Sequence, residues 1–131
     1  MAALDTTLFA NECFAVTTEQ TAKAMGSGSL EVLATPALVA MMEQCACKAL
    51  EGALEEGQTS VGIGLQLQHT AATPVGMNVF CEARVVAVDG RKIRFEITAR
   101  DDKDQIGSCI HERFLVMAER FTEKTYQKLE K

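Results

Sequence analysis

The sequence predicts an α+β fold in which an antiparallel sheet of about five strands wraps one long helix. Three observations predict it. The stretch Pro36–Leu50 has helical signals and is apolar nearly all round. Four segments after it read as strands separated by turn signals, and one strand precedes it. The turns between the strands are short, as hairpins require, and hairpins build antiparallel sheets. One helix and one sheet then make a two-layer domain.

The elements follow in chain order. Glu12–Thr18 reads as the first strand, and Gly26-Ser27-Gly28-Ser29 as a flexible turn. Thr35 followed by Pro36 is a helix start, a hydroxyl at the N-cap and then a proline at the first helical position. The helix runs to about Leu50, with Gly52 or Gly57 marking its end. Its first turns, PALVAMMEQCAC, lack the polar face of a surface helix, so burial on most sides is expected. Thr59–His69 alternates Val61, Ile63, Leu65 and Leu67 toward the helix against Gly62, Gly64, Gln66 and Gln68 away from it. Pro74-Val75-Gly76 is a turn before a long strand, Met77–Val88, and Asp89-Gly90 is a tight hairpin signal. Arg91–Arg100 points Ile93, Phe95, Ile97 and Ala99 inward. A turn at Asp101–Asp104 leads to the last strand, Gln105–Ala118, and a charged helical tail follows.

The 131 residues, 47% hydrophobic and 24% charged, suffice for one core, and no linker splits the chain, so residues 1–131 form a single domain. A net charge of −5 repels phosphate backbones and argues against nucleic acid as a partner. No apolar run approaches the ~20 residues of a membrane span. The N-terminal MAALDTTLFANE carries Asp5 and Glu12 and no basic run, against a signal peptide. The five cysteines form neither a disulfide framework nor a zinc pattern, which suits small buried residues in the reducing cytoplasm.

Glu43 is the only charged residue between Pro36 and Cys47, and a carboxylate among apolar neighbours needs a partner or a function. It is either a site residue or a side chain reaching out at a subunit seam. His69 shares the inward face of its strand and is either a base or a core histidine held by a carbonyl. Thr35 is explained by capping, although a hydroxyl beside outward-pointing helix amides also suits a developing oxyanion. Gly62 and Gly64 mark close approach, of the helix or of a ligand. Arg113, in His111-Glu112-Arg113, either meets a ligand phosphate, pairs with Glu43, or stands exposed.

Four stretches, VLATPALVAMMEQCAC, HTAATPVGM, VDGRKIRFEITARDD and IGSCIHERFLV, together resemble the hotdog-fold thioesterases of the fluoroacetyl-CoA thioesterase-like family. The resemblance runs from about Gly26 to about Glu119. It implies hydrolysis of a small acyl-CoA or acyl-carrier thioester by Thr35, Glu43 and His69. It also implies substrate contacts at Gly62 and Arg113, no metal or organic cofactor, and a homodimer or dimer of dimers with the site at the interface. The fluoroacetyl-specific pattern has aromatic residues before the helix, where this chain has GSGSLEVLA, so the acyl group is left open. A non-catalytic acyl-CoA binding module on the same fold is the competing class. A dehydratase of this fold would call for a histidine–aspartate pair that the sequence does not offer.

Overall fold

The computed structural model describes residues 1–131. Strand β1 (Phe9–Ala15) is followed by the short helix α1 (Ala22–Met25) and the long helix α2 (Thr35–Leu50). Strands β2 (Gln58–His69), β3 (Asn78–Asp89), β4 (Lys92–Arg100) and β5 (Gln105–Met117) come next, and helix α3 (Ala118–Tyr126) begins the tail. The five strands form one antiparallel sheet in the order β1-β3-β4-β5-β2. No helix is long and apolar enough to cross a membrane.

The core lies between α2 and the inner face of the sheet. Leu38, Met42, Cys45, Ala46 and Leu50 are fully buried against Val79, Ala83, Ile93, Phe95 and Ile97. The expected inward set of β4, Ile93, Phe95, Ile97 and Ala99, is buried throughout. Its partner residues alternate outward, the signature of a sheet with one face on a core.

Four features depart from the sequence reading. The first strand lies three residues earlier, because Thr18–Gln20 is a 3₁₀ turn capped reciprocally by Thr17 and Gln20. The helix is not enclosed on most sides. Pro36, Ala40, Gln44, Cys47 and Lys48 form an exposed stripe, since a single sheet covers only one side of it. Strands β2 and β3 are not a hairpin: β2 pairs with β5, from Gln58 opposite Met117 to His69 opposite Gly107, while β3 pairs with β4 and β1. Finally, β2 does not alternate in one phase. Its pairing slips between Gly62 and Gly64, so Ile63 is an extra residue, a β-bulge, and stands exposed. Leu65, Leu67 and His69 keep the inward direction, but ahead of the bulge the inward positions are Ser60 and Gly62, opposite Leu115 and Arg113.

The crossing from β2 to β3 passes over the N-terminus of α2. Leu33 N–H donates to Thr73 O at 2.9 Å, and Val32 bridges Pro74. The hydroxyl of Thr73, itself buried, donates to Asp101 Oδ2 at 2.8 Å. Asp101 Oδ1 accepts the backbone N–H groups of Lys103 and Asp104, each at 2.8 Å, which closes the β4–β5 turn. These hydrogen bonds hold the Asp101 carboxyl below the usual carboxylate range despite its burial.

Candidate active site

Two side-chain clusters sit on α2, one at its first residue and one two turns on. The first joins Thr35 to His69. Thr35 is not the N-cap expected from its hydroxyl. Ala34 holds the cap position in extended conformation, and Ala34 O accepts the N–H of Leu38 at 3.0 Å. Pro36 has no N–H to satisfy, so little is left for a capping hydroxyl to do. The Thr35 Oγ1 atom instead lies 2.9 Å from His69 Nδ1, at the end of β2. Burial holds His69 below the ordinary imidazole pKa, and the nearby Ala71 backbone opposes this without a hydrogen bond of normal geometry. His69 Nε2 is buried and makes no hydrogen bond within the chain. A neutral imidazole with a bare Nδ1 accepts the Thr35 O–H along this line, the contact a base needs to draw a proton from a hydroxyl.

The second cluster surrounds Glu43. Its Oε2 accepts from Arg113 Nη1 at 3.1 Å, and its side chain is 39% exposed while that of Arg113 is 7% exposed. Three further donors of Arg113 are engaged around it. Nε donates to Ser60 Oγ at 2.8 Å, Nη2 to Ser60 O at 3.1 Å, and Nη1 also to His111 Nε2 at 3.1 Å. His111 Nδ1 lies 2.8 Å from Gly64 O, and since a carbonyl only accepts, Nδ1 carries the proton and Nε2 is the acceptor. Burial keeps this ring below its ordinary pKa, with Arg113 adding to the depression. The 3.9 Å approach of His111 Nε2 to Glu43 Oε2 is therefore a contact of a neutral ring and not an ion pair.

Gly62 is the floor of this cluster. A Cβ there would lie 2.6 Å from Glu43 Oε2, 3.3 Å from His111 Cε1 and 3.4 Å from Arg113 Nη1. Glu43, approaching from the helix, fills the space a side chain here would take, so close approach at this position has a cause within the chain. Gly64, beyond the bulge, has only Glu112 within 4.0 Å and serves through its carbonyl.

The sequence singled out Thr35, Glu43, His69, Gly62 and Arg113. The fold brings Thr35 to His69, and Glu43 to Gly62 and Arg113, but the two groups remain apart. Thr35 and Glu43 are eight positions apart on the helix, about 12 Å of rise. Arg113 is enclosed by Ser60, His111 and Glu43 and not presented to a phosphate in solvent. Ser60 and His111 were missed as site residues. The signal for His111 was present, since it precedes Arg113 by two on one strand and therefore shares its face. Ser60 was hidden because the bulge reverses the phase that the alternation suggested. No group of three or more His, Cys, Asp or Glu side chains is arranged to hold a metal ion.

Comparison with known proteins gives consistent findings. The family model described as fluoroacetyl-CoA-specific thioesterase (FlK) matches residues 16–119. A curated fluoroacetyl-CoA thioesterase of Streptantibioticus cattleyicolor is 40% identical over 98 residues, 75% of this chain and 70% of that protein. A crystal structure of a mutant of the fluoroacetyl-CoA-specific thioesterase FlK superposes with a TM-score of 0.92 at 31% identity, covering 98% of this chain and 99% of that one. A hot-dog-like protein from Thermanaerovibrio acidaminovorans, at 21% identity, superposes with a TM-score of 0.84 over 94% of this chain and 91% of its own. That last likeness speaks for the fold alone, and the fold is the hotdog fold.

The packing at Gly62 has a measurable consequence. Gly62→Ala should push the Glu43 carboxylate off Arg113 and cost about 1–3 kcal/mol, the usual range for overfilling a packed site. A crystal structure and a thermal melt of the variant check this. An unmoved carboxylate with an unchanged melting temperature would contradict the close contact.

Proposed function

The chain belongs to the fluoroacetyl-CoA-specific thioesterase family and is an acyl-CoA thioesterase, and from that premise we propose that Thr35, Glu43 and His69 hydrolyse a small acyl-CoA at a site shared by two subunits. The observation that carries the assignment is the 2.9 Å contact between Thr35 Oγ1 and His69 Nδ1. A hydroxyl with an imidazole against it is an activated nucleophile. His69 takes the Thr35 proton as Oγ1 attacks the thioester carbon, then returns it to the departing thiolate, leaving CoA thiol and an acyl-threonine. Water then cleaves the ester. Glu43 takes a proton as the water oxygen bonds to the acyl carbon, and the bond from that carbon to Thr35 Oγ1 breaks. The proton passes on to Oγ1, which restores the hydroxyl and the carboxylate and releases the free acid. All the recorded contacts of Glu43 fall on Oε2, so Oε1 is the oxygen available for this step.

The two-subunit arrangement is supported by the separation of the clusters and by the sheet edge. One subunit's Thr35 and Glu43 stand about 12 Å apart along the helix, too far to meet at one carbonyl. Strand β2 is an edge strand of 12 residues, and a long open edge calls for cover. A symmetry copy pairing antiparallel on that edge directs its His69 end toward the Gly62 end of the first strand. Since His69 and Gly62 both face the helix side of the sheet, the hydroxyl–imidazole pair of one subunit and the carboxylate of the other converge on one pocket.

The acyl group proposed is small and not restricted to fluoroacetyl. The fluoroacetyl activity belongs to the relatives by name, whereas the segment before α2, exposed from Gly26 to Glu31, has no aromatic side chain to close over a substrate. All five cysteines are free thiols, which suits a reducing compartment and the cytoplasm as the proposed location.

Three measurements test this reading. Glu43→Gln keeps an acceptor for Arg113, so it should fold, release about one thiol per subunit in a burst, and then turn over at least ~100-fold more slowly than the parent. Steady turnover at the parent rate would remove Glu43 from the chemistry. Because burial depresses the His69 pKa, the active neutral form persists on acidification past the ordinary value, so kcat/KM should fall only below about pH 6.5. An acid limb centred above that value would assign the base elsewhere. In solution the protein should have the mass of a dimer or a multiple of it, and a fully active monomer would exclude the shared site.

A further inference from the structure

Four of the five N–H groups of Arg113 are accounted for, and their distribution is unusual for an arginine beside a carboxylate. The preferred pairing is a two-pronged fork in which parallel N–H groups hold both carboxylate oxygens. Here the Nε and Nη2 prongs go to Ser60 instead, through its Oγ at 2.8 Å and its carbonyl at 3.1 Å. The Nη1 donors are divided between Glu43 Oε2 and His111 Nε2, both at 3.1 Å. His111 can accept only because Gly64 O fixes its other nitrogen as the donor. Glu43 thus receives a single hydrogen bond, on one oxygen.

We propose that Ser60 and His111 are positioning residues that hold Arg113 in a one-pronged contact with Glu43, keeping Oε1 unpaired for the reacting water. This rests on the role of Glu43 given above and adds the reason why its strong neighbour does not quench it. A fork would fasten both oxygens and make the carboxylate a poorer base. Ser60 and Gly64 flank the bulge at Ile63, so the irregularity of β2 is what lets one strand hold the arginine with a hydroxyl and a carbonyl and the histidine with a second carbonyl. The arrangement predicts a fall in kcat with kcat/KM unchanged, since the carboxylate acts on the acyl-threonine after the thiol has left.

The test compares Ser60→Ala and Ser60→Cys with Ser60→Thr, alongside Glu43→Gln. Ser60→Ala removes the hydroxyl, and Ser60→Cys, close in shape, replaces it with a poor acceptor if alanine disturbs the strand. Both should lower kcat by about tenfold or more, as misplacement of a reacting group does, with KM falling alongside it and kcat/KM within about twofold of the parent. Ser60→Thr restores the hydroxyl and should recover kcat. A crystal structure of the slow variant should show Arg113 bonded to both oxygens of Glu43. Unchanged kcat in a folded Ser60→Ala or Ser60→Cys, with Glu43→Gln still slow, overturns the positioning role alone. Parent-level turnover in Glu43→Gln overturns the reading beneath it as well. Equal loss in all three Ser60 variants, with falling melting temperature, identifies a merely structural serine and also overturns the proposal.

Discussion

A carboxylate on an otherwise apolar helix is the constraint on which the rest of this site depends. Glu43 meets the guanidinium of Arg113, which is itself almost wholly withdrawn from water. A buried guanidinium without a partner costs roughly 3–5 kcal/mol, so the two groups are tied to one another. Everything near them serves that pairing. Position 62 has no side chain, because a Cβ would stand 2.6 Å from Glu43 Oε2. Position 60 has a hydroxyl and position 111 a neutral ring, and each occupies donors that would otherwise be unsatisfied. The bulge between them sets their phase.

The second cluster follows a different logic. Thr35 is released from capping by an extended Ala34 and by a proline that needs no cap, and its hydroxyl is left to His69. Ala34 and Pro36, on either side of Thr35, therefore leave its hydroxyl for other use. His69 stands at the end of an edge strand, half-buried, where burial favours the neutral ring. One cluster keeps a charge in place by compensation, and the other keeps a ring uncharged by dehydration.

Much of this was legible in the residues. The inward set Ile93, Phe95, Ile97 and Ala99 follows from a period of two, and the helix from its proline start and its apolar run. Glu43 stood out because charge is rare in such company. Other features were hidden for physical reasons. The bulge at Ile63 adds one residue to a strand, which no alternation rule anticipates, and it moved Ser60 and Gly62 inward while leaving Ile63 exposed. The pairing of β2 with β5 in place of β3 is a long-range choice that neighbouring turn signals do not encode. For Arg113 the sequence left open a ligand phosphate, a pairing with Glu43 and an exposed position, and its contacts with Ser60, His111 and Glu43 make it the centre of a network.

That long-range pairing also bears on the order in which the molecule assembles. Strands β3, β4 and β5 are joined by tight turns and can zip from local contacts, whereas β2 and β5 meet across the whole β3–β4 segment, Gln58 against Met117 at the far end. Closing so large a loop is entropically costly and slow relative to hairpin formation. Strand β2 carries Ser60, Gly62, Gly64 and His69, so both clusters wait on this late docking. A chain in which β2 has not docked has neither His69 beside Thr35 nor Arg113 held by Ser60, so both clusters depend on one long-range pairing and not on the local contacts that build the core.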